Sequence, residues 1–252
     1  MLTVKRVLDQ RRPDYPIGIP SYCTANELVI EALFEQEVET DHPLLIEATA
    51  NQVNQFGGYT GKQPADFVDS VYQIADRVGF PRERILLGGD LLGPLFWATE
   101  PEEEAMAKAK DLVKLFVEAG YRKIHLDTSM KLGDDSPDEP LSDEIIARRG
   151  IELFAVCEAA YQELKKADPD AKRPDFIIGS EVPIPGGAQE EEDSISVTKV
   201  EAVQETLAAY QQAFEDAGFD GGMASVVGIV TQPGVEVGDD EVFQCDREAA
   251  KE

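Results

Sequence analysis

The residues best suited to chemistry in this chain follow short apolar runs, where acids, amides and glycines replace the apolar side chains. After the apolar residues 44–46 come Glu47, Asn51 and Gln52, and a loop with three glycines continues to residue 61. A buried strand that ends in such a loop is how an α/β protein presents polar groups at the carboxyl edge of its sheet. We predict that Glu47, Asn51 and Gln52 bind substrate, together with Gly186, Gly187 and Gln232 after later strands.

Acidic residues stand at the ends of three further apolar runs. Asp90, Asp127 and Glu181 join Glu47 in this pattern, and in a barrel the strand ends converge on one mouth. Clustered carboxylates repel one another unless a cation or a bound proton compensates them. We predict Asp90, Asp127 and Glu181 as catalytic groups, with a divalent ion (Mn²⁺, Mg²⁺ or Zn²⁺) as a candidate cofactor. The alternative is that each acid caps a loop or binds a backbone amide.

Histidine is scarce, since the chain has only two, His42 and His125. His125 shares the alternation of its strand with Asp127, which predicts that both face the barrel interior. His125, Asp127 and Glu181 are therefore the predicted metal ligands, although His125 is equally well explained as a hydrogen-bonded core residue. His42 is expected at the surface. A zinc site of three imidazoles cannot be built from this chain alone.

Apolar runs and helical patterns alternate along the chain, which predicts a parallel sheet with helical crossovers. Six strands are expected, at residues 17–20, 44–48, 85–88, 123–126, 176–179 and 225–230. The amphipathic helical patterns cover residues 65–78, 102–119, 143–166 and 198–217.

Polar clusters at the end of nearly every strand favour a TIM (β/α)₈-type barrel over an open doubly wound sheet, and the glycine fingerprint of a dinucleotide-binding sheet is absent. About six β/α units are expected, in one domain over residues 1–252 that is truncated after its sixth strand. The glycines of residues 57–62 do not have the spacing of a nucleotide-binding P-loop.

The charge balance excludes some partners. Fifty acidic residues against 23 basic ones give a formal net charge of −27, which argues against nucleic acid and anionic membranes. We expect the acids to form a solvated surface of the kind found in salt-accumulating cells. The start of the chain has no secretory pattern, and its three cysteines fit no metal or disulfide framework. A cytoplasmic location is expected.

Several motifs together resemble one family, the non-catalytic (GatZ/KbaZ-type) subunit of class II D-tagatose-1,6-bisphosphate aldolase. The motifs lie at residues 23–32, 46–61, 85–94, 123–130, 181–187 and 232–236. Family chains are longer than this one. Where the family pattern has a histidine after the aspartate of residues 89–94, this chain has Leu91, so one candidate imidazole ligand is missing.

The resemblance implies a TIM-barrel subunit that supports a separate catalytic aldolase subunit in galactitol, N-acetylgalactosamine or tagatose catabolism. The expected partners are that class II aldolase subunit and a small sugar phosphate. The alternative is a metal-dependent ketose (phosphate) epimerase or aldolase that acts on its own through a carboxylate-lined mouth. A third reading is an inactive fragment, because phosphate sites in barrels often use the last two strands.

Overall fold

The fold is built on one parallel sheet whose strands follow one another in chain order. A computed structural model describes residues 3–179 and 197–232, and the backbone of residues 236–237 and 242–243. The strands of the sheet are β1 (Ser21–Cys23), β2 (Leu44–Thr49), β3 (Ile85–Leu92), β4 (Lys123–Leu126), β5 (Asp175–Ile178) and β6 (Val226–Ile229). Their order is β1-β2-β3-β4-β5-β6, and every pairing is parallel.

One helix precedes the first strand, and the others join successive strands. They are α1 (Val4–Leu8), α2 (Glu27–Glu37), α3 (Pro64–Val78), α4 (Glu102–Glu118), α5 (Asp143–Ala167) and α6 (Val200–Asp216), with short 3₁₀ turns at 82–84, 95–97 and 222–225. Two short strands, β7 (Glu236–Val237) and β8 (Val242–Phe243), pair with each other. A sheet that is wound in one direction without a reversal of strand order has the topology of a TIM barrel rather than of a dinucleotide-binding sheet. The predicted α/β fold of TIM-barrel type is confirmed.

The hydrophobic periodicity of the sequence explains where the core lies. Phe67, Val71 and Ile74 form one buried stripe of α3, and Leu112 and Phe116 belong to the corresponding stripe of α4. These stripes pack on the outer face of the sheet in one continuous core. The helices are thereby fixed around the sheet, and the strand ends are left to carry the polar residues.

A second, smaller apolar cluster lies at the amino end of the sheet. Val4 of α1 packs on Leu45 and Leu86, and Ile19 joins them. The backbone N–H of Lys5 donates to a carboxylate oxygen of Asp175 at 2.9 Å, which ties α1 to the first residue of β5. Helix α1 therefore covers the amino ends of the strands, opposite the predicted site.

The prediction of the first strand is wrong. Sheet pairing begins at Ser21, which pairs with Leu45, and not in residues 17–20. Pro16 precedes that run and Pro20 ends it, and neither has an N–H to donate to a ladder. The other five strands overlap their predicted positions. In the part of the chain that the structure describes, no helix combines the length and apolarity that a bilayer span requires.

Candidate functional site at the barrel mouth

The register of the sheet brings Glu47 and Lys123 together across a glycine. Glu47 pairs with Gly88, and Gly88 pairs in turn with Lys123, so the three residues form one row across β2, β3 and β4. A Cβ atom on Gly88 would overlap the Glu47 carboxylate. Because Gly88 has no side chain, the carboxylate reaches over it to Lys123, and Glu47 Oε1 lies 2.7 Å from Lys123 Nζ.

Asp90 and His125 complete this group. Lys123 Nζ is 3.2 Å from Asp90 Oδ1, and His125 Nδ1 is 3.1 Å from the same oxygen. The side chains of Glu47, Lys123 and His125 are almost fully buried, and that of Asp90 is the most exposed of the four. We call Glu47, Asp90, Lys123 and His125 the mouth cluster, because three of them lie in the carboxyl-terminal halves of their strands and the Lys123 ammonium reaches them from the start of β4.

A break in the ladder of β3 directs Asp90 toward His125. The β3–β4 register shifts between Gly89 and Leu92, and Leu91 within this bulge has a φ of +49°, which is a left-handed conformation that a leucine seldom adopts. The Leu91 N–H lies 3.3 Å from His125 Nδ1. Because a ring nitrogen that donates to Asp90 cannot also accept, this contact competes with the Asp90–His125 hydrogen bond. Bulges of this kind commonly re-aim side chains next to functional sites.

The mouth cluster shifts the ionisation of its own members. Burial opposes the charge of Asp90, but the hydrogen bond to His125 and the charge of Lys123 prevail and hold its pKa below the ordinary value. Burial also opposes the charge of Lys123, and the carboxylates of Glu47 and Asp90 more than compensate, which raises its pKa. Burial raises the pKa of Glu47, although Lys123 works against this. The cluster thus holds an ionised Asp90 and an ammonium in a poorly hydrated space.

Cys23 and Gln52 border the mouth cluster. Cys23 pairs with Glu47 in the ladder, and its sulfur lies 4.0 Å from Gln52 Oε1, which also accepts a hydrogen bond from the Thr49 N–H at 2.9 Å. Although Cys23 as a residue is exposed, desolvation of its sulfur and the charges of Asp90 and Glu47 raise the pKa of its thiol to about 12. The thiol therefore stays protonated at neutral pH and is a poor nucleophile.

Asp127 is buried but lies apart from the mouth cluster. Its Oδ1 accepts hydrogen bonds from the Ser129 N–H at 3.1 Å and the Ser129 hydroxyl at 2.7 Å. Within the described residues, no hydrogen bond or ion pair joins it to Asp90, Lys123 or His125. Asp127 follows the last residue of β4, where the alternation of the strand no longer directs a side chain.

The remaining predicted residues have different surroundings. The Asn51 carbonyl accepts a hydrogen bond from the Tyr59 N–H at 2.9 Å and so helps to fold the loop after β2. Gln232 exchanges hydrogen bonds with Thr198 on the segment before α6. His42 is exposed and lies beside Glu37, as expected. Three predicted residues lie outside the described residues, and their roles stay predictions: Glu181, Gly186 and Gly187.

The donor set of the mouth cluster does not fit a divalent metal. In residues 3–179 and 197–232, no three His, Cys, Asp or Glu side chains gather as a group that could hold an ion. The Lys123 ammonium lies between the Glu47 and Asp90 carboxylates, which is where a cation would bind. The structure does not bring His125 and Asp127 together as ligands. Glu181 lies outside the described residues, so the metal set of His125, Asp127 and Glu181 stays a prediction.

Lys123 is the residue of the site that sequence reasoning missed. Its position at the first residue of β4 is typical of a solvent-exposed lysine, but it shares the strand alternation of His125. Asn54 was missed as well. It is buried, and its Oδ1 accepts hydrogen bonds from the Phe56 and Gly58 N–H groups while its Nδ2 donates to the Ala50 carbonyl. Asn54 thereby orders the loop that borders the mouth cluster.

A sheet wound in one direction, with two carboxylates, an ammonium and an imidazole at its carboxyl side, defines a β/α-barrel protein with a polar mouth. A family model for the D-tagatose-1,6-bisphosphate aldolase subunit GatZ/KbaZ-like matches residues 4–252. The chain belongs to this family.

Individual relatives agree with the family model. The chain is 44% identical over 248 residues to the D-tagatose-1,6-bisphosphate aldolase subunit GatZ of Salmonella dublin and 45% identical to that of Klebsiella pneumoniae. In both cases the match covers 98% of this chain and 57% of the relative. A crystal structure of a probable tagatose 6 phosphate kinase from Sinorhizobium meliloti has a TM-score of 0.79 and 45% identity, and the match covers 93% of this chain and 54% of that one.

Proposed function

We propose that this chain acts as an accessory subunit of a class II tagatose-bisphosphate aldolase and supports the stability and activity of a separate catalytic subunit in sugar catabolism. The proposal rests on one observation, which is the identity of the cation between the two carboxylates of the mouth cluster. Lys123, and not a set of imidazoles, stands between Glu47 and Asp90. Membership of the aldolase-subunit family supports the proposed partner.

The chemistry of aldol cleavage explains why this observation matters. A class II aldolase stabilises its enediolate with a divalent metal, usually held by imidazoles. Of the two histidines in this chain, His42 is on the surface and His125 is engaged with Asp90. An ammonium can donate hydrogen bonds to a sugar oxygen, but it gives weaker stabilisation of an enediolate than a metal ion. The mouth is therefore better suited to binding than to cleavage.

A co-expression experiment tests the accessory role. The full chain should show no tagatose-bisphosphate cleavage alone, and it should increase the specific activity or the thermal half-life of a co-expressed class II aldolase from the same genome. The matched control is the aldolase expressed without this chain. If the two proteins do not co-purify at any salt concentration, and the aldolase is unchanged by the chain, the accessory role is wrong.

A second candidate function is catalysis by this chain itself on a ketose or ketose phosphate. The observation that favours it is the Asp90–His125 pair, since a carboxylate that holds an imidazole is a common arrangement for moving a proton. Lys123 would donate to a substrate oxygen beside that pair. This function predicts turnover by the purified full chain, lost in Asp90→Asn and in His125→Gln. Turnover that survives both substitutions rules out the mouth cluster as its source.

A further inference from the structure

Five large apolar side chains are exposed on the three segments that follow β1, β2 and β3 around the mouth. Leu28 and Val29 lie in the first turn of α2 after β1, Phe56 and Tyr59 lie in the loop after β2, and Phe96 lies in the 3₁₀ turn after β3. All five are at the carboxyl side of the sheet, because each follows the end of its parallel strand. We call these five residues the apolar rim. Scattered exposed apolar residues are ordinary, whereas a group on one face marks an interaction surface.

The structure holds the apolar rim in place. Asn54 fixes the backbone of Phe56 and Gly58 through its side-chain oxygen. The Thr60 hydroxyl binds the Gln52 carbonyl at 2.7 Å, and the Phe56 ring packs edge-on against Trp97 with centroids 6.4 Å apart. A side chain that is already ordered loses little conformational entropy when a partner covers it. Exposure of ordered aromatic groups is therefore a property expected of a docking surface.

The charges beside the apolar rim favour a partner protein that is not a second copy of this chain. Glu27 beside Leu28 is paired with Lys62 at 2.6 Å, and Glu100 near Phe96 is paired with Lys108. The charges next to the rim are therefore locally balanced, while the chain as a whole carries a formal net charge of −27. Two copies would bring the same large negative charge together, which repels unless salt screens it. A partner with an apolar patch and a less acidic surface meets no such repulsion.

We propose that the apolar rim is the surface on which the catalytic class II aldolase subunit docks, with Phe56 and Tyr59 as its central contacts. This inference rests on the proposed accessory function and names the surface that performs it. A subunit seated on the rim also covers the mouth cluster and separates Asp90 and Lys123 from bulk water.

Two tyrosines provide a matched test. Tyr59 is 73% exposed on the rim, and Tyr15 is 61% exposed ahead of β1, toward the opposite end of the sheet. Binding of the purified class II aldolase to the full chain is measured by isothermal titration for wild type, Tyr59→Ser, Phe56→Ser and Tyr15→Ser. We expect Tyr59→Ser and Phe56→Ser to weaken binding by roughly tenfold or more, and Tyr15→Ser to change it less than about twofold.

The melting temperature of each variant should equal that of the wild type, because all three side chains are exposed. This control separates a change of the surface from a loss of the fold. The assignment of the rim is wrong if Tyr59→Ser and Tyr15→Ser weaken aldolase binding equally, or if neither rim substitution weakens it. The accessory function is unaffected by either result. Absence of binding by the wild-type chain overturns both proposals. If Tyr59→Ser instead dissociates a homodimer of this chain in sedimentation experiments, the occupant is a second copy and the proposed partner is wrong.

Discussion

Lys123 supplies from within the chain the positive charge that its mouth requires. Two carboxylates that approach one buried point are stable together only if something offsets their repulsion. The Lys123 ammonium does this by contacting Glu47 and Asp90 at once. Replacing a buried charge while its partners remain is far more harmful than replacing a surface charge. The mouth should therefore respond to this one residue more strongly than to any surface lysine.

Lys123→Met should destabilise the fold by about 3–5 kcal/mol at neutral pH, because Glu47 and Asp90 are left buried without a cation. The loss should shrink as the pH falls toward about 5, since the unpaired carboxylates can then take up protons. Urea unfolding at several pH values measures both effects. Lys110→Met, which breaks a half-exposed pair with Glu152, should cost less than about 1 kcal/mol.

Adding Glu47→Gln to Lys123→Met should recover part of the lost stability, because it removes one of the two unpaired charges. If the double variant is as unstable as the single one, the cost does not come from the unpaired Glu47 carboxylate. If Lys123→Met and Lys110→Met are equally mild, Lys123 does not have the compensating role given to it here.

The sequence allowed part of the site to be predicted. Glu47, Asp90 and the inward-facing His125 follow from strand ends and alternation, because both are local properties of the chain. Lys123 does not, since its partners are set by the register of β2, β3 and β4, which depends on long-range pairing. Asp127 lies apart from the cluster because β4 ends one residue earlier. Local patterns thus identify candidates, and the register decides which of them meet.

At the scale of the elements, the reach of Glu47 from β2 to Lys123 of β4 depends on Gly88 of β3. The Glu47 carboxylate occupies the space that any other side chain at position 88 would fill. The fold class was predictable because alternating strands and helices leave a strong periodic signal. The first strand was not, since the apolar run of residues 17–20 resembles a strand in composition, although Pro16 and Pro20 on either side of residues 17–19 have no N–H to donate to a ladder.

Gly88→Ala should lower stability by about 1–3 kcal/mol and displace the Glu47 carboxylate from Lys123. Thermal unfolding measures the first effect. Gly18→Ala is the matched control, because a Cβ atom at Gly18 meets nothing within 4 Å, and it should be nearly neutral. Combining Gly88→Ala with Glu47→Ala should relieve the overlap. Equal melting temperatures for Gly88→Ala and Gly18→Ala would contradict the proposed packing.

At the scale of the whole molecule, the net charge of −27 acts against the compact state. Mutual repulsion of surface acids is screened by salt, and the screening length falls to about 10 Å at 0.1 M ionic strength. Basic residues can offset fewer than half of the 50 acids, since the chain has only 23 of them. Stability should therefore depend on salt far more than in a protein of balanced charge.

The melting temperature should rise by about 5 °C or more between roughly 0.05 and 0.5 M KCl, which corresponds to about 1–2 kcal/mol for a chain of this size. A variant with the exposed acids Glu35, Glu39 and Glu205 changed to Gln should melt higher at low salt and show a flatter dependence. Scanning calorimetry across the salt series measures both. A salt response that is identical in the variant would mean that charge screening is not its cause.

The hydrogen bond between the Lys5 N–H and Asp175 also affects the order in which the elements fold. It joins residues 170 positions apart, and the entropic cost of closing such a loop must be met before the contact gives any stabilisation. Contacts of this sequence separation are made late and slow the folding of the chains that depend on them. Helix α1 is synthesised first among the elements, yet it should be among the last to dock, after β5 has joined the sheet.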